Sequence, residues 1–143
     1  MVKEINMTDR KALVEAAVAA RDRVYSPYSR FCVGAALLCA DGEVIIGANV
    51  ENSSYGGTIC AERVALTSAV VSGKRDFKAI AIVGAHCGEE INAICAPCGI
   101  CRQFIAEFCD KDFEILLYDG KEIVSYTLEE ILPMAFTKND LGV

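Results

Sequence analysis

Phe31-Cys32-Val33-Gly34-Ala35-Ala36-Leu37-Leu38-Cys39-Ala40-Asp41-Gly42-Glu43-Val44-Ile45-Ile46-Gly47-Ala48-Asn49-Val50 is the stretch whose pattern decides the fold. Residues 31–39 form an apolar run, Asp41-Gly42 is a strong hairpin turn, and 43–50 resumes the strand pattern. Upstream, Leu13, Ala16, Ala17 and Ala20 recur at helical spacing within 9–23, with Thr8 as the expected N-cap. Ser26-Pro27-Tyr28-Ser29 breaks that helix. Downstream, Gly56-Gly57 closes a loop, and a helix is expected over 58–71, ended by Ser72-Gly73. A buried strand follows at 77–84, then a looser segment with His86 and Cys87, and a third helix over 98–108. Two strands, 113–118 and 122–126, flank Asp119-Gly120, and a short helix precedes Pro133. This order predicts an α/β protein: a three-layer α-β-α sandwich around a mixed sheet of about five strands, as one domain over 1–143.

Composition narrows the function classes. The 143 residues suffice for a real core, and 53% are hydrophobic against 24% charged. That excess of apolar residues in a short chain points to a buried subunit interface. A net charge of -6 without a basic run argues against a nucleic-acid surface, because phosphate contacts need clustered Lys and Arg. The first residues carry mixed charge and lack the apolar core of a signal peptide, and no apolar stretch is long enough to span a bilayer. A cytoplasmic protein without membrane partners is expected. Eight cysteines then read as a reduced set, some binding metal and the rest acting as small buried hydrophobes.

Two segments carry the chemistry: Thr58-Ile59-Cys60-Ala61-Glu62-Arg63 and Pro97-Cys98-Gly99-Ile100-Cys101-Arg102-Gln103. Each stands where a loop gives way to a helix, and a helix N-terminus favours a thiolate. The two-residue gap lets one turn aim Cys98 and Cys101 at a single ion, which Cys60 joins from a facing helix. Three protein ligands plus water is the pattern of a catalytic zinc. Cys95 is the nearest candidate for a fourth, but Pro97 separates it from the pair. Cys32, Cys39, Cys87 and Cys109 have no paired spacing. A lone Cys-x-x-Cys leaves redox and structural zinc readings open. Glu62, two residues after Cys60, shifts the balance, because a carboxylate there lies beside the water without binding the metal and carries its proton. Asn49 and Glu51 end a strand on one face and suit a sugar's hydroxyls, with a solvated strand end as the plain alternative.

Cysteine ligation, a non-ligating Glu and a Pro-Cys-x-x-Cys element are the marks of zinc deaminases. Along nearly its whole length the chain resembles the small homotetrameric cytidine deaminases. The resemblance rests on Tyr25-Ser26-Pro27-Tyr28-Ser29-Arg30-Phe31, Val33-Gly34-Ala35-Ala36-Leu37, Asn49-Val50-Glu51-Asn52, Cys60-Ala61-Glu62-Arg63 and Pro97 to Gln103, in that order. It implies one Zn²⁺ per subunit on Cys60, Cys98 and Cys101, with Cys60 where other members carry His. Glu62 is then the proton shuttle for hydrolytic deamination of free cytidine and 2′-deoxycytidine. The resemblance further implies a base resting against Phe31, a ribose 3′ hydroxyl gripped by Asn49 and Glu51, and a base edge on the Ala61 N–H and Ala96 carbonyl. Carbonyls at and just before Pro97 receive the departing amino group, and Arg63 drains charge from the sulfurs. Tyr55 and Phe136 line a neighbour's pocket in the homotetramer that the resemblance implies. Ala96 stands where relatives often carry Ser, Thr137 where Gly is usual and Asn139 where Glu is usual, so the tail departs from the pattern.

His86 reads as a surface residue on a loop, Cys32 as a small buried filler, and Cys87 and Cys95 as loop neighbours free to pair on oxidation. A structural zinc module would need a closed four-cysteine site and a positive face, and the sequence supplies neither. Polynucleotide editing needs basic channels. A nucleoside antibiotic would be served by the same base chemistry.

Overall fold

A computed structural model of the chain describes residues 5–143. The amino-terminal reading rests partly on residues 1–4, which lie outside the described residues. Helix α1 spans Met7–Ala20, strand β1 Phe31–Cys39, β2 Val44–Ala48, α2 Ala61–Val71, β3 Phe77–His86, α3 Gly99–Phe108, β4 Glu114–Tyr118, β5 Ile123–Thr127 and α4 Leu128–Ile131. The five strands form one sheet in the order β2-β1-β3-β4-β5. β1 is antiparallel to both β2 and β3, β3 is parallel to β4, and β4 is antiparallel to β5. The mixed five-stranded sheet and its layers agree with the sequence pattern.

The three layers follow from which residues each strand turns to which face. On one side Leu13, Val14 and Ala17 of α1 pack against Ala36, Ala79, Ala81, Val83 and Leu116. Small sheet residues let α1 lie close: a Cβ on Gly34 would stand 1.9 Å from the Ala17 carbonyl oxygen. On the other side Ala61, Ala65, Leu66 and Ala69 of α2 and Ile105 of α3 meet Leu37, Ile80, Ile82, Ile115 and Leu117. The buried Glu114 carboxylate is satisfied by the Arg10 guanidinium at 2.9 Å and the Ser125 hydroxyl at 2.9 Å, which ties α1 to the far strands.

Several boundaries differ from the sequence pattern for identifiable reasons. Asn6, not Thr8, caps α1, accepting from the Asp9 amide at 2.8 Å, so Thr8 lies inside the helix. α2 starts at Ala61 instead of Thr58, because Ile59 and Val50 exchange backbone hydrogen bonds, both 2.9 Å, and hold the chain extended. β3 continues through His86, since Phe31 extends β1 far enough to pair with it. His86 is therefore the exposed end of a strand and not a loop residue.

The expectation of an all-reduced protein is overturned. Cys32 and Cys87 form a disulfide. The β1–β3 register explains the choice: Cys32 pairs across from Ala85, and the Cys87 amide donates to the Arg30 carbonyl. Both sulfurs stand on the α1 face, whereas Cys95, which shares a loop with Cys87 and was free to pair with it on oxidation, packs over Gly84 on the opposite face. Among the described residues no helix is long and apolar enough to cross a membrane.

Gly47 fixes how closely α2 approaches the sheet. A Cβ there would lie 2.3 Å from the Ala61 carbonyl oxygen and 2.6 Å from the Ala65 amide nitrogen, both backbone atoms that cannot swing away. Gly47→Ala is expected to cost roughly 1–3 kcal/mol or more, as overpacking does. Urea unfolding checks it, with a lowered midpoint at unchanged slope as the expected result.

Candidate active site

Strand directions bring the reactive residues together. β2 and β3 both run antiparallel to β1, so they are parallel to each other. α2 follows β2 and α3 follows β3 on the same face of the sheet. Both helices therefore begin at the same end of the sheet, outside the carboxyl ends of parallel strands. Cys60 is the N-cap of α2 and Cys98 the N-cap of α3, and neither makes a side-chain cap bond. Cys101 lies in the first turn of α3, fully buried.

The Cys60 and Cys98 sulfurs are 3.9 Å apart and those of Cys98 and Cys101 3.5 Å apart. All three lie within 4.8 Å of one another. A tetrahedral ion with Zn–S bonds of about 2.3 Å spaces its sulfurs by about 3.8 Å, so this soft, closely spaced donor set fits zinc. Hydrogen bonding from the Cys101 thiol, helped by Arg63 and Cys98, draws the Cys60 thiol down to about 5. The same hydrogen bond to Cys60, followed by burial, pushes the Cys101 thiol up. Arg63 reaches the Cys60 sulfur with Nη2 at 3.8 Å and the Thr58 carbonyl at 3.2 Å, and its Nε is buried without a partner.

Glu62 occupies the first turn of α2 and is only 4% exposed. Burial raises the pKa of its carboxyl group, and the neighbouring Cys60 charge adds to the effect. A carboxyl group that holds its proton more readily than a surface glutamate is suited to shuttling one near neutral pH. Ala61, beside it, is fully buried.

The remaining candidates fall into two groups around this centre. Phe31, half-buried at the start of β1, meets His86 edge-on with ring centres 5.4 Å apart. Asn49 holds that strand end: its Nδ2 donates to the Phe31 carbonyl at 2.9 Å and its Oδ1 accepts from the Val33 amide at 2.8 Å. Glu51 accepts from the Tyr28 amide at 3.0 Å, the Ser29 amide at 3.1 Å and the Ser29 hydroxyl. The Ser29 hydroxyl, first among these, holds the Glu51 carboxyl below its ordinary value. Glu51, Tyr28, Ser29, Tyr55 and Thr58 line a cavity of about 250 Å³. Asn49 and Glu51 thus grip different segments, the β1 backbone and the Tyr28-Ser29 turn.

Ala96 is exposed and Pro97 buried. The Pro97 carbonyl accepts from Arg102 Nε at 2.8 Å, while Arg102 Nη1 donates to the Ile131 carbonyl at 2.7 Å. Gln103 donates to the Phe136 carbonyl at 2.7 Å, which anchors the tail to α3 although the Phe136 ring is 60% exposed. Arg102, Gln103 and Ser29 have structural roles that the sequence pattern does not show. Arg102 bridges the nearby Pro97 carbonyl to Ile131, Gln103 reaches Phe136 and Ser29 reaches Glu51, and apart from Pro97 these partners lie more than 20 residues away along the chain. Cys95, expected to stand apart from the metal pair, packs over Gly84 on the sheet face that carries the centre, and burial first, then the charges of Glu62 and Cys60, push its thiol up to about 11.

The family model described as the cytidine and deoxycytidylate deaminase zinc-binding region matches residues 7–117. A cytidine deaminase of Halalkalibacterium halodurans is 48% identical over 135 residues, 94% of this chain and 98% of that protein. The crystal structure of cytidine deaminase from Burkholderia pseudomallei matches with a TM-score of 0.80 at 46% identity, covering 88% of this chain and 98% of that one. A blasticidin-S deaminase of Bacillus cereus is 33% identical over 130 residues, 89% of this chain and 91% of that protein. With its matched region containing all three clustered sulfurs and the buried Glu62, the chain belongs to the cytidine and deoxycytidylate deaminase zinc-binding family.

Proposed function

We propose that this protein hydrolyses free cytidine and 2′-deoxycytidine to uridine and 2′-deoxyuridine with release of ammonia, a step of pyrimidine salvage in the cytoplasm. The observation that carries this reading is the buried Glu62 carboxyl beside three converging sulfurs. Cys60, Cys98 and Cys101 hold one Zn²⁺, which when bound supplies a Lewis acid that makes water a nucleophile near neutral pH. Glu62 accepts a proton from the attacking water and delivers it to N3 of the pyrimidine, making C4 electrophilic. After the C4–O bond forms, Glu62 carries the second proton to the amino group, and the C4–N bond breaks as ammonia leaves. Each proton taken from water is thereby accounted for, one on N3 and one on ammonia. Arg63 offsets the net negative charge that three thiolates leave on a divalent cation.

Around this chemistry Phe31 supports the pyrimidine ring, and Asn49 and Glu51 hold the ribose 3′ hydroxyl. The Ala61 amide and Ala96 carbonyl meet the base edge, and the Pro97 carbonyl receives the amino group. The partner reading is a homotetramer in which Tyr55 and Phe136 complete a neighbour's pocket. Their exposure supports it: Tyr55 is 75% and Phe136 60% accessible in the isolated chain, a costly state for large aromatics. The net charge of -6 favours a free nucleoside over a polynucleotide. A nucleoside antibiotic is the second reading, supported by the 33% identity to the blasticidin-S deaminase and weakened by the 48% identity to a cytidine deaminase.

Three measurements test these assignments. Zinc-loaded protein incubated with cytidine, deoxycytidine, CMP, cytosine and blasticidin S is expected to release ammonia from the first two only; release from blasticidin S alone would reverse the choice. Glu62→Gln should keep its zinc and lose at least ~10³-fold in kcat, since one group serves as both base and acid; turnover at the parent rate sinks the shuttle role. Serine at Cys60, Cys98 or Cys101 should each lower the bound zinc measured by metal analysis, whereas serine at Cys109 should leave one ion per chain.

A further inference from the structure

Gly84 has an ordinary backbone, so its lack of a side chain answers to packing. A Cβ at this position would lie 2.8 Å from the Cys95 sulfur, 3.0 Å from the Cys95 Cβ and 3.0 Å from Cε2 of Phe31. The sulfur and the ring edge thus occupy the recess that the glycine leaves, on the sheet face that carries Glu62 and the three clustered sulfurs. His86 closes the other side, edge-on to the Phe31 ring at 5.4 Å. The ring thus has an edge over the Gly84 recess, which it shares with the Cys95 sulfur, and meets the His86 ring edge-on.

We infer that Gly84 and Cys95 together set the depth of the pyrimidine slot by seating the Phe31 ring, and are specificity-determining residues for a pyrimidine nucleoside. The inference rests on the functional reading above, in which the base lies against Phe31. Cys95 is half-buried and stands on the loop that leads into Ala96-Pro97-Cys98. A base resting on Phe31 and reaching Glu62 passes this thiol. Its uncharged, compact sulfur fills the recess without offering a competing charge next to the proton-carrying carboxyl. Adding volume at residue 84 forces either the thiol or the ring outward, into the space of the base.

A double-mutant cycle read on KM, kcat, zinc content and Tm tests this. Gly84→Ala is expected to raise KM for cytidine about tenfold, with kcat changed by less than about threefold, because the base is misplaced on binding more than in reaction. In a Cys95→Ala background the same change should cost less than about threefold in KM, since the new methyl takes the room the sulfur vacates. Penalties that simply add, or a fall in Tm with KM untouched, overturn the inference. Labelling provides a measure independent of turnover and of whether Gly84→Ala folds. A small methanethiosulfonate reagent, followed by peptide mass analysis of the zinc-loaded parent, should modify Cys95 at least fivefold more slowly with saturating uridine, with Cys109 unaffected. Equal Cys95 labelling with and without uridine, in protein that turns over cytidine, defeats the inference and spares the functional reading. A zinc-loaded parent inert toward cytidine defeats both.

Discussion

Two helix N-termini pointed at one place, each begun by a cysteine that makes no cap bond, are the constraint around which this protein is arranged. α1 and α4 are capped conventionally, by Asn6 and by the Thr127–Glu130 box. α2 and α3 forgo that stabilisation at Cys60 and Cys98. Replacing a good N-cap with a poor one costs a helix about 0.5–2 kcal/mol. Two such losses at the same end of the sheet are hard to explain by packing alone. They are what a soft metal site requires, because unpaired helix N–H groups and their partial positive charge steady thiolates.

Holding those termini in register falls to groups that the sulfurs never touch. Gly47 lets the first turn of α2 press onto β2, with no room for even a methyl group between them. That approach buries Ala61 and Glu62 together, and burial is what raises the Glu62 carboxyl. On the other helix Arg102 joins the Pro97 carbonyl to that of Ile131, so the turn that carries Cys98 is tied to α4. The acid–base character proposed for Glu62 is therefore a consequence of backbone spacing as much as of its own chemistry. A change that lifts α2 from the sheet would wet the carboxyl and return it toward an ordinary glutamate.

Local chemistry was legible in the sequence, and contacts that depend on strand register were not. Asp41-Gly42 announced the β1–β2 turn and Cys98-Gly99-Ile100-Cys101 a pair of ligands, because each signal lies within a few neighbouring residues, while Cys60, 38 residues before Cys98, was marked by the Cys60-Ala61-Glu62 motif. The Cys32–Cys87 disulfide depends on Cys32 falling opposite Ala85, which no local pattern reveals. Cys95 looked like a spare thiol for the same reason: its place over Gly84 is set by a loop returning across β3. Thr8 and Asn6 are both good caps, and only the folded helix shows which one is used. The delayed start of α2 reflects the Val50–Ile59 exchange, a tertiary pairing that overrides helical preference.

In the proposed reading, Asn49 and Glu51 combine structural and binding duties in one side chain each. Asn49 gives one of its two N–H groups to Phe31 and one of two acceptor sites to Val33, which leaves one of each. Glu51 accepts from three donors on Tyr28 and Ser29, out of about four acceptor sites in a carboxylate. Together they keep one donor and about two acceptor sites, enough for a single sugar hydroxyl, which donates once and accepts from a donor. In the same geometry Asn49 fixes the carbonyl of Phe31, the residue proposed to carry the base. Sugar grip and base support are then mechanically joined through one amide. A substitution at Asn49 would disturb the ring as well as the hydroxyl, so its effect on binding would exceed the worth of one hydrogen bond.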